Sequence, residues 1–316
     1  METDSWPGRL LSTSRGPVFV RHPVRVDHVQ GVAPPEEWPA HLSSGGSASP
    51  RPEQRPRDAV LFVHGLGGES LDWADVAAEL ADQFDCYALD LPGFADSPPP
   101  ADGDFSLDAH VRSVVAVAET LGPVHLVGNS LGGAVATRVA AEHPQLVRSL
   151  TLVSPALPDL RPRWSSAQLT LALLPALGPL IVRAVLRADP ERMAKRVYRL
   201  CYGDPSAVTP QRHAHEIAAL RRRAELEHSP LVYRSTLRAV VSSYLQQGSR
   251  RLWKQAAAVG VPTLVIYGGR DRLVHPRMAG RAERTFRDAE VLRFRDIGHV
   301  AHLESPSIVA LSLIHI

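Results

Sequence analysis

From residue 59 onward the sequence repeats one alternation, in which a short unbroken apolar run passes through a turn into a segment of helical periodicity. Ala59–Val63 precedes a helical stretch over Trp73–Leu80, Cys86–Leu89 precedes Leu107–Leu121, Val124–Val127 precedes Leu131–Glu142, and Val147–Val153 follows. Apolar runs without polar alternation suit strands buried on both faces, and the amphipathic segments between them supply the crossovers that parallel strands require. The predicted class is therefore α/β, a mostly parallel sheet with helices on both faces. The alternation resumes at Thr263–Tyr267, continues through Met278–Phe286 and Glu290–Phe294, and closes at Ala301–Ala310.

Between these two stretches the strand signal lapses. Residues 155–255 are helix-prone, with breaks at Pro175, Gly178-Pro179, Asp189-Pro190, Gly203-Asp204-Pro205 and Ser229-Pro230, and read as a helical insertion. The predicted organisation is a first piece over residues 1–58, a core from 59–154 and 256–316, and the insertion. Within the first piece, Pro17–Val20 and Val24–Val29 are candidates for an opening antiparallel pair, and the Pro-, Ser- and Gly-rich stretch Val32–Arg57 reads as a long surface loop. The insertion carries 17 Lys and Arg against 7 Asp and Glu, whereas the rest of the chain carries 18 against 26. Solvated helix faces are the simpler reading of this imbalance; attraction of acidic substrates or of an anionic lipid surface is the sharper one. Seven apolar residues, Leu169, Leu171, Leu173, Leu174, Leu177, Leu180 and Ile181, are candidates to line an acyl pocket or to pack the insertion onto the core.

Composition removes several function classes. With 44% hydrophobic and 22% charged residues and a formal charge of +2, the chain has an ordinary globular balance and no basic excess that calls for nucleic acid. Two distant cysteines, Cys86 and Cys201, make neither a disulfide framework nor a thiolate metal site. The start, Met1 to Pro7, lacks the basic and apolar regions of a secretory signal, so the expected location is cytoplasmic. The apolar stretch Leu169–Val182 is interrupted by Pro175, Gly178 and Pro179 and is shorter than the ~20 residues a helical membrane span needs. No transmembrane segment is expected.

The chemistry is carried by four short segments. Gly128-Asn129-Ser130-Leu131-Gly132-Gly133 lies where a predicted strand meets a predicted helix, and its glycines let the backbone turn sharply enough to display the Ser130 hydroxyl. The helix that follows aims its free N–H groups at developing negative charge, which makes the Leu131 N–H an oxyanion donor. His64-Gly65-Leu66-Gly67-Gly68 follows Ala59–Val63 and offers Leu66 as the second donor, with His64 read as an imidazole that fixes the loop. Asp271, just past Thr263–Tyr267, falls at the carboxyl edge of the sheet and is the candidate acid, with Asp159 as the alternative. His299 lies near the start of the loop after Glu290–Phe294 and is favoured over His302 as the base.

These segments, in this order, resemble the α/β-hydrolase superfamily over residues 59–153 and 260–310. The resemblance implies a catalytic triad of Ser130, Asp271 and His299, an oxyanion hole from Leu66 and Leu131, and a helical cap formed by 155–255. It also accounts for Asp90-Leu-Pro-Gly-Phe94-Ala-Asp96-Ser97, in which Ala95 stands where many relatives carry a second glycine, and it implies a longer last helix than Leu311–Ile316 leaves. The activity implied is a serine hydrolase cleaving a small-molecule carboxylic ester, without metal or organic cofactor; a serine nucleophile argues against the aspartate-dependent dehalogenases and epoxide hydrolases. Two further readings stay open, a carbon–carbon bond hydrolase of β-diketone-like ring-cleavage products and a non-catalytic ligand-binding member of the fold.

Overall fold

The structure is a computed structural model that describes residues 6–22, 57–159, 161 and 168–315. Its centre is an eight-stranded sheet with strands β1 (Gly8–Thr13), β2 (Gly16–Arg21), β3 (Ala59–Val63), β4 (Asp85–Leu89), β5 (Val124–Asn129), β6 (Val147–Val153), β7 (Thr263–Gly268) and β8 (Ala289–Phe294). Their spatial order is β1-β2-β4-β3-β5-β6-β7-β8, with all pairs parallel except β1 with β2 and β2 with β4. This is the mostly parallel α/β sheet that the alternating pattern predicts.

The apolar runs fill both faces because successive side chains of a strand point to opposite sides. Leu61 and Val63 of β3, with Val265 of β7, enter one core with Leu126, Leu150 and Leu152. Val60 and Phe62, with Leu264 and Ile266, enter the other with Val127 and Val153. Helices α2 (Leu107–Leu121), α3 (Leu131–Glu142), α8 (Leu252–Ala258) and α9 (Met278–Thr285) supply residues to the first core, and α1 (Ala74–Leu80) and α11 (Pro306–Ile314) to the second. A four-residue helix, α10 (Ala301–Glu304), precedes α11.

Local signals fix the helix ends. Ser106 caps α2 by accepting the Ala109 N–H at 3.1 Å, and Gly122 ends it at φ 83°. Between β6 and β7 the chain forms α4 (Gly178–Leu186), α5 (Pro190–Cys201), α6 (Pro210–Glu225) and α7 (Ser229–Ser243). Asp189 and Thr209 cap α5 and α6, and a proline opens each of them at a position where the missing N–H costs nothing.

At the amino-terminal edge the structure differs from the sequence reading. Pro17–Val20 does lie in an antiparallel pair, but its partner is Gly8–Thr13, with Thr13 opposite Gly16. Arg9, Ser12 and Thr13 give that edge strand too polar a pattern to stand out. The other candidate partner, Val24–Val29, and the stretch 32–56 lie outside the described residues.

Parallel register brings the strand ends to one edge. Val63 lies opposite Gly128, Asn129 opposite Val153, and Gly268 opposite Phe294. The loops after β3, β5, β7 and β8 therefore leave the sheet side by side.

Candidate active site

Ser130 occupies the junction between β5 and α3 at φ 52° and ψ −112°. A non-glycine residue in this region carries a backbone cost of about 1–2 kcal/mol, so the surroundings must hold it there. They do so through the Ser130 N–H, which donates to the Val153 carbonyl at 3.0 Å, and the Ser130 carbonyl, which accepts from Ala134 at 3.1 Å and Ala156 at 2.8 Å. Gly132 is required because a Cβ there would strike the Val63 and His64 carbonyls, which lets α3 start hard against the end of β3. As the first residue of α3, Leu131 has an N–H with no intrahelical acceptor.

The loop after β3 is fixed from within. Fully buried His64 accepts the Leu91 N–H on Nε2 at 2.9 Å, so its Nδ1 carries the proton and donates to the Gly65 carbonyl at 2.7 Å. Burial lowers the His64 pKa, which keeps the ring neutral in this role. The Gly68 N–H also donates to the Gly65 carbonyl, at 3.0 Å. Because C=O and N–H point opposite ways across a trans peptide, the Leu66 N–H is turned away from His64. Among the described residues no acceptor takes it. The loop abuts the serine, since a Cβ on Gly65 would sit 3.3 Å from the Ser130 Cβ.

Asp271 and His299 meet across the loops after β7 and β8. His299 Nδ1 lies 2.9 Å from Asp271 Oδ2, while Asp271 Oδ1 accepts from the Leu273 and Val274 N–H groups at 2.8 and 2.9 Å. The carboxyl is 1% exposed. Burial alone would raise its pKa, but His299 and the two backbone donors outweigh that and hold it below the ordinary carboxylate range. The alternative acid, Asp159, is taken by Arg277 at 2.7 Å.

The structure does not join Ser130 to His299 by a hydrogen bond between their side chains. The two are linked by Asn129, whose Nδ2 donates to the Val153 carbonyl at 3.0 Å and to the His299 carbonyl at 3.2 Å. Hydrogen bonds of this kind are often long before substrate binds. His302, by contrast, stacks on Trp73 at 4.2 Å, and burial drives its pKa down to about 3. It belongs to the packing beneath the loop.

Sequence reasoning missed several residues that hold these loops. Glu304 receives the Gly298 N–H at 2.7 Å and the Gly203 N–H at 2.8 Å, and the His299 N–H donates to the Cys201 carbonyl at 2.6 Å, so the end of α5 is tied to the histidine loop. From α6, Arg212 pairs with Asp72, Arg222 with Glu69 at 2.5 Å, and Arg223 with the Gly67 carbonyl. Spacings of ten and eleven place these three arginines on one helix face, toward the loop Gly65–Asp72. Thus part of the charge imbalance read from sequence is answered inside the chain. Asp72 pays a burial penalty that raises its pKa, and the Arg212 guanidinium overcomes it. No sequence motif marks these contacts; the only signal is the run of arginines opposite an acidic loop.

A cleft beside this loop is lined by Gly68, Phe94, Arg222, Arg223, Val232 and Tyr233, among others. Ser130 does not line it. Of the candidate acyl-pocket residues, Leu171, Leu174, Leu177 and Leu180 face outward, with 43–64% of their surface exposed, whereas half-buried Leu173 packs against the cluster of Ala172, Val182 and Leu237 within the insertion. Among the described residues no group of three or more His, Cys, Asp or Glu side chains is placed to hold a metal ion, and no helix is long and apolar enough to cross a membrane.

Comparison with known proteins agrees with this architecture. A family model described as the alpha/beta hydrolase fold matches residues 58–306. The dihydrolipoyllysine-residue acetyltransferase component of the acetoin cleaving system of Cupriavidus necator is 29% identical over 78% of this chain and 60% of its own length. Lipase 3 of a Moraxella species is 26% identical over 78% of this chain and 73% of its own. The chain thus spans less than two thirds of the first of these relatives. Among solved structures, a membrane phospholipase A superposes with a TM-score of 0.72 at 20% identity, covering 98% of this chain and 85% of that one. A 2-hydroxy-6-oxo-6-phenylhexa-2,4-dienoate hydrolase from a Rhodococcus gives 0.66 at 20% identity, covering 82% and 90%. At these identities the structural likeness speaks to fold alone.

Proposed function

Because the chain belongs to the α/β hydrolase family, we propose that it is a hydrolase that cleaves carboxylic esters through Ser130, His299 and Asp271. The observation that carries this reading is the 2.9 Å contact of His299 Nδ1 with Asp271 Oδ2, at the sheet edge where Ser130 also lies. In the proposed mechanism His299 Nε2 takes the Ser130 proton as Oγ attacks the ester carbonyl. Asp271 holds the ring with Nδ1–H toward itself and stabilises the imidazolium that forms. The Leu66 and Leu131 N–H groups hold the oxyanion, and each such donor contributes on the order of 10² to 10³ in rate. The imidazolium returns its proton to the leaving alcohol, and water then releases the acyl group by the reverse sequence.

Ester cleavage is favoured over carbon–carbon cleavage by the lipase names among the curated relatives. On this reading the helices α4–α7 form a cap over the sheet edge, and the cleft between α6, α7 and the loop Gly65–Gly68 admits the substrate. A panel of p-nitrophenyl esters of increasing acyl length tests it, with vinylogous diketo acids as the competing substrates. Turnover of esters that disappears in Ser130→Ala supports the proposal; turnover of the diketo acids alone overturns the ester assignment.

A further inference from the structure

The outward leucines are not scattered. Leu171, Leu174 and Leu177 lead into α4, whose outer face continues with Leu180, and these four are 52%, 43%, 55% and 64% exposed. Isolated exposed leucines are ordinary on a soluble surface, but a continuous strip is not. The opposite face of the same helix is committed to the fold, because Val182 is 2% exposed and packs with Leu237 and Ala172 in a cluster that Leu66 and Tyr233 also touch. Helix α4 therefore presents apolar side chains both inward and outward, and only the inward set has a partner among the described residues.

Charge identifies what the outward set fits. From residue 160 to residue 188 the sequence contains four arginines, Arg161, Arg163, Arg183 and Arg187, and no Asp or Glu. Arg183 and Arg187 are exposed three and seven residues after Leu180, on the same side of the helix. A helix lying in the plane of a bilayer interface needs this combination, apolar side chains that enter the acyl boundary and cations that meet anionic headgroups. A second copy of the chain would bring the same cations against one another.

We propose that the outer face of Leu171–Arg187 docks onto an anionic lipid bilayer. Leu174, Leu177 and Leu180 enter the interface, and Arg183 and Arg187 lie among the headgroups. Leu66 packs against the same cluster that holds Val182 of α4, so docking would place the bilayer on the far side of that cluster from the candidate site. The inference does not depend on the catalytic reading, and its test does not use turnover of a lipid.

Flotation of the full chain with vesicles of phosphatidylcholine, and of phosphatidylcholine mixed with phosphatidylglycerol, decides it. The expected result is binding to the anionic vesicles at least about tenfold stronger than to the neutral ones, weakened by added salt. The double variant Leu177→Glu/Leu180→Glu should lose at least about tenfold more, with its helical spectrum and its thermal melting retained. Arg183→Gln/Arg187→Gln should remove most of the preference for anionic vesicles. Equal binding of the wild-type chain and the leucine variant, absence of binding by both, or equal affinity for both vesicle types overturns the proposal. A concentration-dependent dimer in sedimentation that the leucine variant abolishes, without vesicle binding by the wild type, reassigns the face to a second copy and overturns it as well.

Discussion

His299 Nδ1 and Asp271 Oδ2 lie 2.9 Å apart although the two residues leave different strands, and the carboxylate's other oxygen is occupied by the Leu273 and Val274 N–H groups. Each carboxylate oxygen thus has a separate task, one fixing the acid and the other fixing the ring. Replacing Asp271 with Asn leaves the shape nearly intact but offers the imidazole an amide that can stabilise the wrong tautomer. Asp271→Asn should lower kcat for ester hydrolysis on the order of 10⁴ with an unchanged circular dichroism spectrum. A loss below tenfold would assign the acid elsewhere.

Arg223 donates to the Gly67 carbonyl, one residue beyond the Leu66 N–H, and Tyr233 packs against Gly67 from the same side. Removing the guanidinium frees the peptide after Gly67, which stands at φ 75° next to the proposed oxyanion donor Leu66. Arg223→Met should reduce kcat about tenfold to a hundredfold with less effect on KM, and Arg223→Lys should restore part of it. A raised KM with kcat unchanged would place Arg223 in ground-state binding instead.

The two histidines of the last loop separate cleanly. His299→Ala should abolish turnover and, by leaving the buried Asp271 carboxylate without its ring partner, also cost ~1–3 kcal/mol of stability. His302→Ala removes a ring stacked on Trp73 and should cost ~1–3 kcal/mol of stability while keeping turnover within severalfold of wild type. Paired melting curves and steady-state kinetics check both.

Ala95 stands at φ 44°, in a turn where the left-handed region favours glycine. The strain relieved in Ala95→Gly, about 1–2 kcal/mol, exceeds the ~0.5–1 kcal/mol of added chain entropy. The variant should be more stable by roughly 0.5–1 kcal/mol, read as a higher denaturation midpoint.

Asp90 is fully buried beside this turn. It accepts N–H groups from Ser70 at 2.6 Å and Asp96 at 3.1 Å, yet burial pushes its pKa up to about 7. A carboxyl whose folded pKa lies above its unfolded value binds its proton more tightly in the native state. Its contribution is fully present below about pH 4 and is lost as pH rises toward 7. Asp90→Asn should therefore flatten the decline of stability between pH 5 and pH 7, measured by urea denaturation across that range. An unchanged slope would mean that the two N–H donors keep the carboxylate charged.

Much of this architecture is legible in the sequence because parallel strands buried on both faces leave unbroken apolar runs, as in Ala59–Val63 and Thr263–Tyr267. The Ser130 turn is legible because only glycine at 128 clears the first turn of α3 and only glycine at 132 lets α3 approach the end of β3 so closely. The edge strand Gly8–Thr13 was hidden because one exposed face erases the apolar run. Arg223, Asn129 and Glu304 were hidden for another reason: each acts on a backbone group, and backbone partners leave no trace in side-chain patterns. The orientation of Leu180 was equally unreadable, since α4 carries apolar residues on both faces and periodicity cannot say which face is buried.

Reaction with a fluorophosphonate, followed by mass-spectrometric mapping of the adduct, tests the central claim most directly. The account predicts a single adduct on Ser130, lost in Ser130→Ala and strongly slowed in His299→Ala, in step with loss of ester turnover. An adduct on another residue, or turnover retained by Ser130→Ala, would contradict it.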